Sequence, residues 1–160
     1  MSERAEQLAS TFEAANNGLI AAVEGCSDEQ LRATCPDEGW SVAVAAHHVA
    51  ASHGPLSQLV GLIASGQELP PITMEMINAG NAQHAVDFAN VSRDEVLKTL
   101  KTEGATVASL IRSLSDEQLN RTAAMPFAGG AAWSAADVIE RIIIGHPQQH
   151  TQSIKAAVGG

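Results

Sequence analysis

Apolar residues return at steps of three and four along four stretches of the chain, the spacing that lines one face of an α-helix. From about Ser2 to Glu24, the residues Leu8, Phe12, Ala15, Leu19 and Val23 share such a face, which predicts a first amphipathic helix. Gly25-Cys26-Ser27 ends it. Ser27-Asp28-Glu29-Gln30 then has the form of a capping box, in which serine and glutamine satisfy free backbone N–H groups reciprocally, so a short helical turn follows. Pro36 and Gly39 interrupt the chain. A second helix is predicted from Trp40-Ser41, with Ser41 as its N-cap, to about Ser65, and its stripe is Val44, His48, Ala51, Pro55, Leu59 and Leu62. Pro55, beside Gly54, removes one internal hydrogen bond and crowds the preceding turn, which predicts a kink.

Gly66 to Pro71 is a break, and Ile72 to Asn90 keeps no single period, so it reads as short helical pieces within a long crossover. Ser92-Arg93-Asp94-Glu95 is another capping box, opening a third helix with the stripe Val96, Leu100, Glu103, Val107, Ile111 and Leu114. Glu103 is its odd member and belongs at a solvated edge, since glutamate is seldom fully buried. A fourth helix runs from Trp133-Ser134, after Gly129-Gly130, to about Val158, with Ile139, Ile143, His146, His150 and Ile154 in register. Pro147 deletes the bond its nitrogen would have made to the Ile143 carbonyl, and with Gly145 beside it a local bend is expected. A weak internal echo accompanies these elements. Ser27-Asp28-Glu29-Gln30-Leu31 recurs as Ser115-Asp116-Glu117-Gln118-Leu119, each copy precedes a Trp-Ser pair, and His53 and His146 each lie 13 residues past their tryptophan. Two related helical hairpins explain it; the echo is too short for a solenoid repeat.

Composition narrows the fold class. Hydrophobic residues make up 45% of the 160, with three Phe, two Trp and no Tyr, so the core is built from Ala, Leu, Ile and Val. The expectation is an all-α four-helix bundle forming one domain over residues 1–160. A formal charge of −9 repels phosphate backbones and anionic lipid, which argues against nucleic acid and membrane surfaces as partners. With no apolar run long enough for a membrane helix and no secretory pattern at Met1-Ser2-Glu3-Arg4, the expected location is the cytoplasm. Cys26 and Cys35 form no C-x-x-C and are expected to be structural thiols.

The chemistry lies with the histidines. His146 and His150, four apart on a helix, point the same way and can offer nitrogens to one cation. A lone buried histidine is ordinarily a hydrogen-bonded core residue, but His48 falls on the corresponding stripe of another helix, and a buried imidazole must be hydrogen-bonded, charged at a cost or metal-bound. The three would converge on the bundle interior, leaving coordination positions open as in catalytic rather than closed structural sites. His47 points about 100° away from His48, which suggests a surface or supporting place. His53 faces elsewhere, and His84 sits in the crossover, near enough to line a pocket.

The segment Gly39-Trp40-Ser41-Val42 through His47-His48-Val49-Ala50-Ala51-Ser52-His53, with Ile144-Gly145-His146-Pro147-Gln148-Gln149-His150 far downstream, resembles the DinB/YfiT-like superfamily over nearly the whole chain. Asn81-Ala82-Gln83-His84-Ala85 is similar to crossover segments of some members. The resemblance implies a four-helix bundle with a long connection, often a homodimer, and a divalent metal, zinc or nickel foremost, on His48, His146 and His150. It also implies a small-molecule substrate and a low-molecular-weight thiol, since characterised relatives include S-transferases using mycothiol, bacillithiol or glutathione and a mycothiol-dependent maleylpyruvate isomerase. Others have been proposed as metal-dependent hydrolases. Relatives commonly carry an acidic residue shortly after the first histidine, where this chain has Ala51, so no acid–base role attaches to that position.

Three functions follow as expectations. The first is a metal-dependent enzyme that activates a low-molecular-weight thiol for S-transfer or isomerisation. The second is a hydrolase that activates water on the same cation, with Glu103 or His84 as proton acceptor. The third is a non-catalytic, stress-related helical binding module. No catalytic base is needed where the metal itself generates the thiolate.

Overall fold

A computed structural model describes residues 2–159. The four long periodic stretches are helices: α1 (Glu3–Glu24), α3 (Val42–Ser65), α5 (Arg93–Ser113), and a last one that begins as α7 (Ala135–Val138) and ends as α8 (Gly145–Val158). Between them lie the short helices α2 (Asp28–Leu31) and α6 (Asp116–Asn120) and the crossover helix α4 (Met74–Asp87). Serine or threonine caps each N-terminus where the chain enters from a loop. Ser2, Ser27, Ser41, Thr73, Ser92, Ser115 and Ser134 all accept a bond from the backbone two or three residues into the helix. The capping boxes of Ser27 and Ser115 form with both bonds. At Ser92 only the serine side is made, and Glu95 does not reach back.

The long helices close into a ring in which α1 touches α5 and α8, and α3 touches the same two. Two apolar clusters fix their directions. One joins the start of α1 (Leu8, Phe12) to the ends of α3 (Val60, Ile63) and α5 (Val107, Ile111) and to Ile139 and Ile143. The other joins the end of α1 (Leu19, Val23) to the starts of α3 (Val42, Ala46) and α5 (Val96, Leu100) and to Ile154. Hence α1 runs antiparallel to α3 and α5, while α3 and α5 are parallel neighbours, and parallel neighbours need a long return connection. The crossover with α4 supplies it. This segment holds one continuous 14-residue helix rather than short pieces, and it buries none of its residues.

A polar layer separates the two clusters. Asn16 lies on the stripe between Phe12 and Leu19, His53 between the clusters on α3, and Gly104 between Leu100 and Val107 on α5. His53 Nε2 donates to Asn16 Oδ1 at 3.0 Å, and Asn16 Nδ2 donates to the Leu100 carbonyl at 3.0 Å, so both buried side chains are satisfied. A Cβ on Gly104 would stand 2.4 Å from Asn16 Nδ2, so glycine is what lets α5 approach this pair.

Several sequence expectations need correction. α3 keeps its expected span through Pro55, but its buried face is not the predicted stripe. Ala51 and Pro55 are exposed, whereas His47 and His53 are buried at 4% and 1% exposure. A helix start packed by Ala, Val and Trp on all sides buries every residue from Val42 to Ala50, so no single stripe describes it. The fourth helix is also not uniform: Ile139–Ile144 forms a π-helical stretch before Pro147, whose missing N–H the wider turns accommodate. A two-stranded hairpin, β1 (Thr122–Ala124) with β2 (Ala132–Ser134), precedes α7, turned by Gly129 and Gly130 at positive φ. Cys26 and Cys35 are free and buried, and burial pushes the Cys35 thiol up to about 11, which makes it inert. Among the described residues no helix is long and apolar enough to cross a membrane.

Candidate metal centre

His48 stands two turns into α3, and His146 and His150 face it from successive turns of α8, at the level of the polar layer. The three offer nitrogens that all lie within 4.8 Å of one another. Their rings meet edge to face, with centroids 4.8 Å apart for His48 and His146, 5.5 Å for His48 and His150, and 4.7 Å for His146 and His150. The Trp40 ring packs against His48 at 5.1 Å. The expected ligand set is therefore brought together, from the two helices expected.

Burial favours the neutral form of all three, and at His48 and His146 the neighbouring imidazoles add to it. His48 is pushed down to about 4 and His146 to about 3, by desolvation first and then by nearby histidines. His150 is lowered by desolvation, with Glu38 opposing. Neutral imidazole is the form that binds a cation, and Nδ1 of His146 is buried without a hydrogen-bond partner. Three neutral donors converging on one point, with an orphaned nitrogen among them, fit a divalent cation. Zinc and nickel both suit imidazole.

Glu38 was not anticipated. It sits in the tight loop before α3, where Cys35 N–H donates to the Trp40 carbonyl at 2.7 Å and Gly39 turns the chain at φ 73°. That loop presses its side chain, 12% exposed, onto α8. Oε2 accepts from the Ser153 hydroxyl at 2.7 Å, and Oε1 lies 2.8 Å from His150 Nδ1 but off the line of the ring N–H, so the contact is an electrostatic one and the nitrogen lacks an aligned partner. A carboxylate beside one ring nitrogen favours the proton there and leaves the other nitrogen free to ligate. No spacing in the sequence links Glu38 to α8; only the acid's place two residues before Trp40 could have drawn notice.

The remaining candidates separate. His47 is not at the surface: it stacks on His84 at 5.1 Å and packs on Phe88 at 4.2 Å, with its Nδ1 3.3 Å from His84 Nε2. His84 reaches the site's edge, 5.7 Å from the His48 ring, without joining the cluster. His53 belongs to the polar layer. Glu103 is partly exposed, comes near Gly54 on α3, and is not part of the three-histidine group. Beside the triad opens a groove of about 520 Å³ between α3, α4 and the π-helical stretch, with His48, Ser52, His84 and His146 along one margin.

The sequence model of one family, described as the DinB superfamily, matches residues 11–154. The chain belongs to the DinB superfamily. No curated protein and no solved structure matches it. As a DinB protein it is an all-α bundle with a three-histidine group able to hold a metal ion, and the three histidines all fall inside the matched region.

Proposed function

We propose that this DinB protein is a metal-dependent enzyme that activates a low-molecular-weight thiol for S-transfer or isomerisation of a small-molecule substrate. The observation that carries the reading is the buried triad of neutral imidazoles opening on a groove. When bound, a divalent cation supplies the positive charge that lowers a thiol's pKa, so that it is present as thiolate. His48, His146 and His150 would hold it, Glu38 and Ser153 would orient His150, and the groove beside them would seat the substrate. Among the described residues none that lines the groove is Asp or Glu, and Glu103 is not among its lining, so of the two proton acceptors considered for a hydrolase only His84 stands at the groove. The thiol, the transferase activity and the homodimer belong to this proposal.

Thermal melting of the metal-loaded protein with mycothiol, bacillithiol or glutathione tests it. At a hundredfold excess over its Kd, a bound thiol adds about 2.7 kcal/mol, or about 5–10 °C for a chain of this size. One thiol should do so in the wild type and not in His150→Ala. If none of them moves the melting point, the thiol reading fails.

A further inference from the structure

We infer that the groove beside the triad receives an uncharged, apolar portion of the substrate and rejects anionic ones, an inference that names the substrate class for the function proposed above. Its walls carry Leu56, Leu59, Ile72, Ile77, Phe127 and Ile142, and its outer lip is Met74 and Met76, which are 49% and 58% exposed. Methionines at a lip adapt to varied apolar shapes. Among the described residues, none that lines the groove is Lys, Arg, Asp or Glu. The polar groups beyond the triad are few: the Ser52 hydroxyl donates to the His48 carbonyl at 2.7 Å, His84 is engaged with His47, and Asn81 contributes a neutral amide. A carboxylate, phosphate or sulfonate carried into the outer part of this space, away from the triad, would lose its hydration with no cationic side chain to meet it, inside a chain of formal charge −9. An alkyl or aromatic group would instead cover the exposed methionines and the leucine wall. Continuity with the triad decides what occupies the groove. His48 and His146 line both, so a molecule bound here presents one end to the three histidines and the other to the lip.

Gly80, on the α4 side, gives a way to test this without disturbing the core, because a Cβ added there meets nothing within 4 Å. Two fluorescent probes of nearly the same shape, neutral N-phenyl-1-naphthylamine and its anionic sulfonate analogue 1-anilinonaphthalene-8-sulfonate, are titrated into the full chain, as purified and after chelation. The neutral probe should saturate at one site per chain and the sulfonate should bind at least about tenfold more weakly, a difference of about 1.4 kcal/mol. Gly80→Leu, which fills the groove and favours the helix, should weaken the neutral probe by about the same factor with the melting temperature kept or raised. Gly80→Lys should narrow the gap between the probes by supplying a cation. Equal binding of both probes, no saturable binding of the neutral one, or indifference to Gly80→Leu would overturn the inference. Because chelated protein is included, those results are independent of whether the metal and thiol chemistry holds.

Discussion

The two halves of the bundle, α1 to α3 and α5 to α8, use the same local device and reach different ends. They are not the hairpins of adjacent helices that the echo suggested, since α1 and α3 each pack on α5 and α8. In each, a serine-capped short helix leads through a β-type pairing to a Trp-Ser step: Thr34 with Ser41 in the first, Thr122 with Ser134 in the second. In each, a histidine follows the tryptophan by 13 residues. Yet His53 turns into the core and bonds Asn16, while His146 turns to His48 and the groove. The difference lies in the backbone between. α3 is α-helical throughout, whereas the second path crosses the π-helical stretch Ile139–Ile144. A π turn takes up an extra residue, and one residue is about 100° of rotation. His146 therefore falls back one position, onto the line that His48, Ser52 and Leu56 hold in α3, all of which face the groove. Equal spacing in sequence gives equal direction only when the helix between is regular.

If His53 is a core residue and His146 a ligand, removing them should separate stability from metal binding. His53→Ala leaves a cavity beside Phe12 and strips Asn16 of its donor, so it should cost about 3–4 kcal/mol in denaturant unfolding and leave metal content unchanged. Acid should act on the same residue. Burial holds His53 at about 4, below its ordinary 6.5, so the unfolded chain binds this proton more readily than the folded one. Stability is full above pH 6.5 and falls as the pH drops toward 4, by about 3 kcal/mol from this group in the metal-free protein. Unfolding measured across that window should show a visibly smaller slope in His53→Ala. On the ligand side, Glu38→Gln should weaken metal affinity by about 10–100-fold, read by competition with a chelator, and leave the melting point of the metal-free protein nearly unmoved.

Much of this was legible from periodicity and capping chemistry, which act locally. Phe12, Leu19, Val96, Leu100 and Ile111 all lie where their stripes put them, and His48, His146 and His150 come together as their helices' spacing implied. The losses have physical causes. Asn16 continues the Phe12 stripe at a step of four, a polar residue in an apolar register, but its meaning depends on His53 and Gly104, which are supplied by other helices. Glu38 acts through a contact between a loop and α8 that are 115 residues apart at Ser153, and no local rule spans that distance. The choice between a surface and a supporting place for His47 stays open in the sequence because a helix surrounded on all sides at its start has no exposed face to define the opposite one. The hairpin β1–β2 is too short for alternation to register against its neighbours.

The most direct measurement is the metal content of the full chain and of two variants, by elemental analysis after identical purification. Wild type and His53→Ala should each carry one divalent cation per chain, and His146→Ala should carry close to none. Equal metal in His146→Ala and wild type, or none in the wild type even after metal is supplied, would contradict a centre built from His48, His146 and His150.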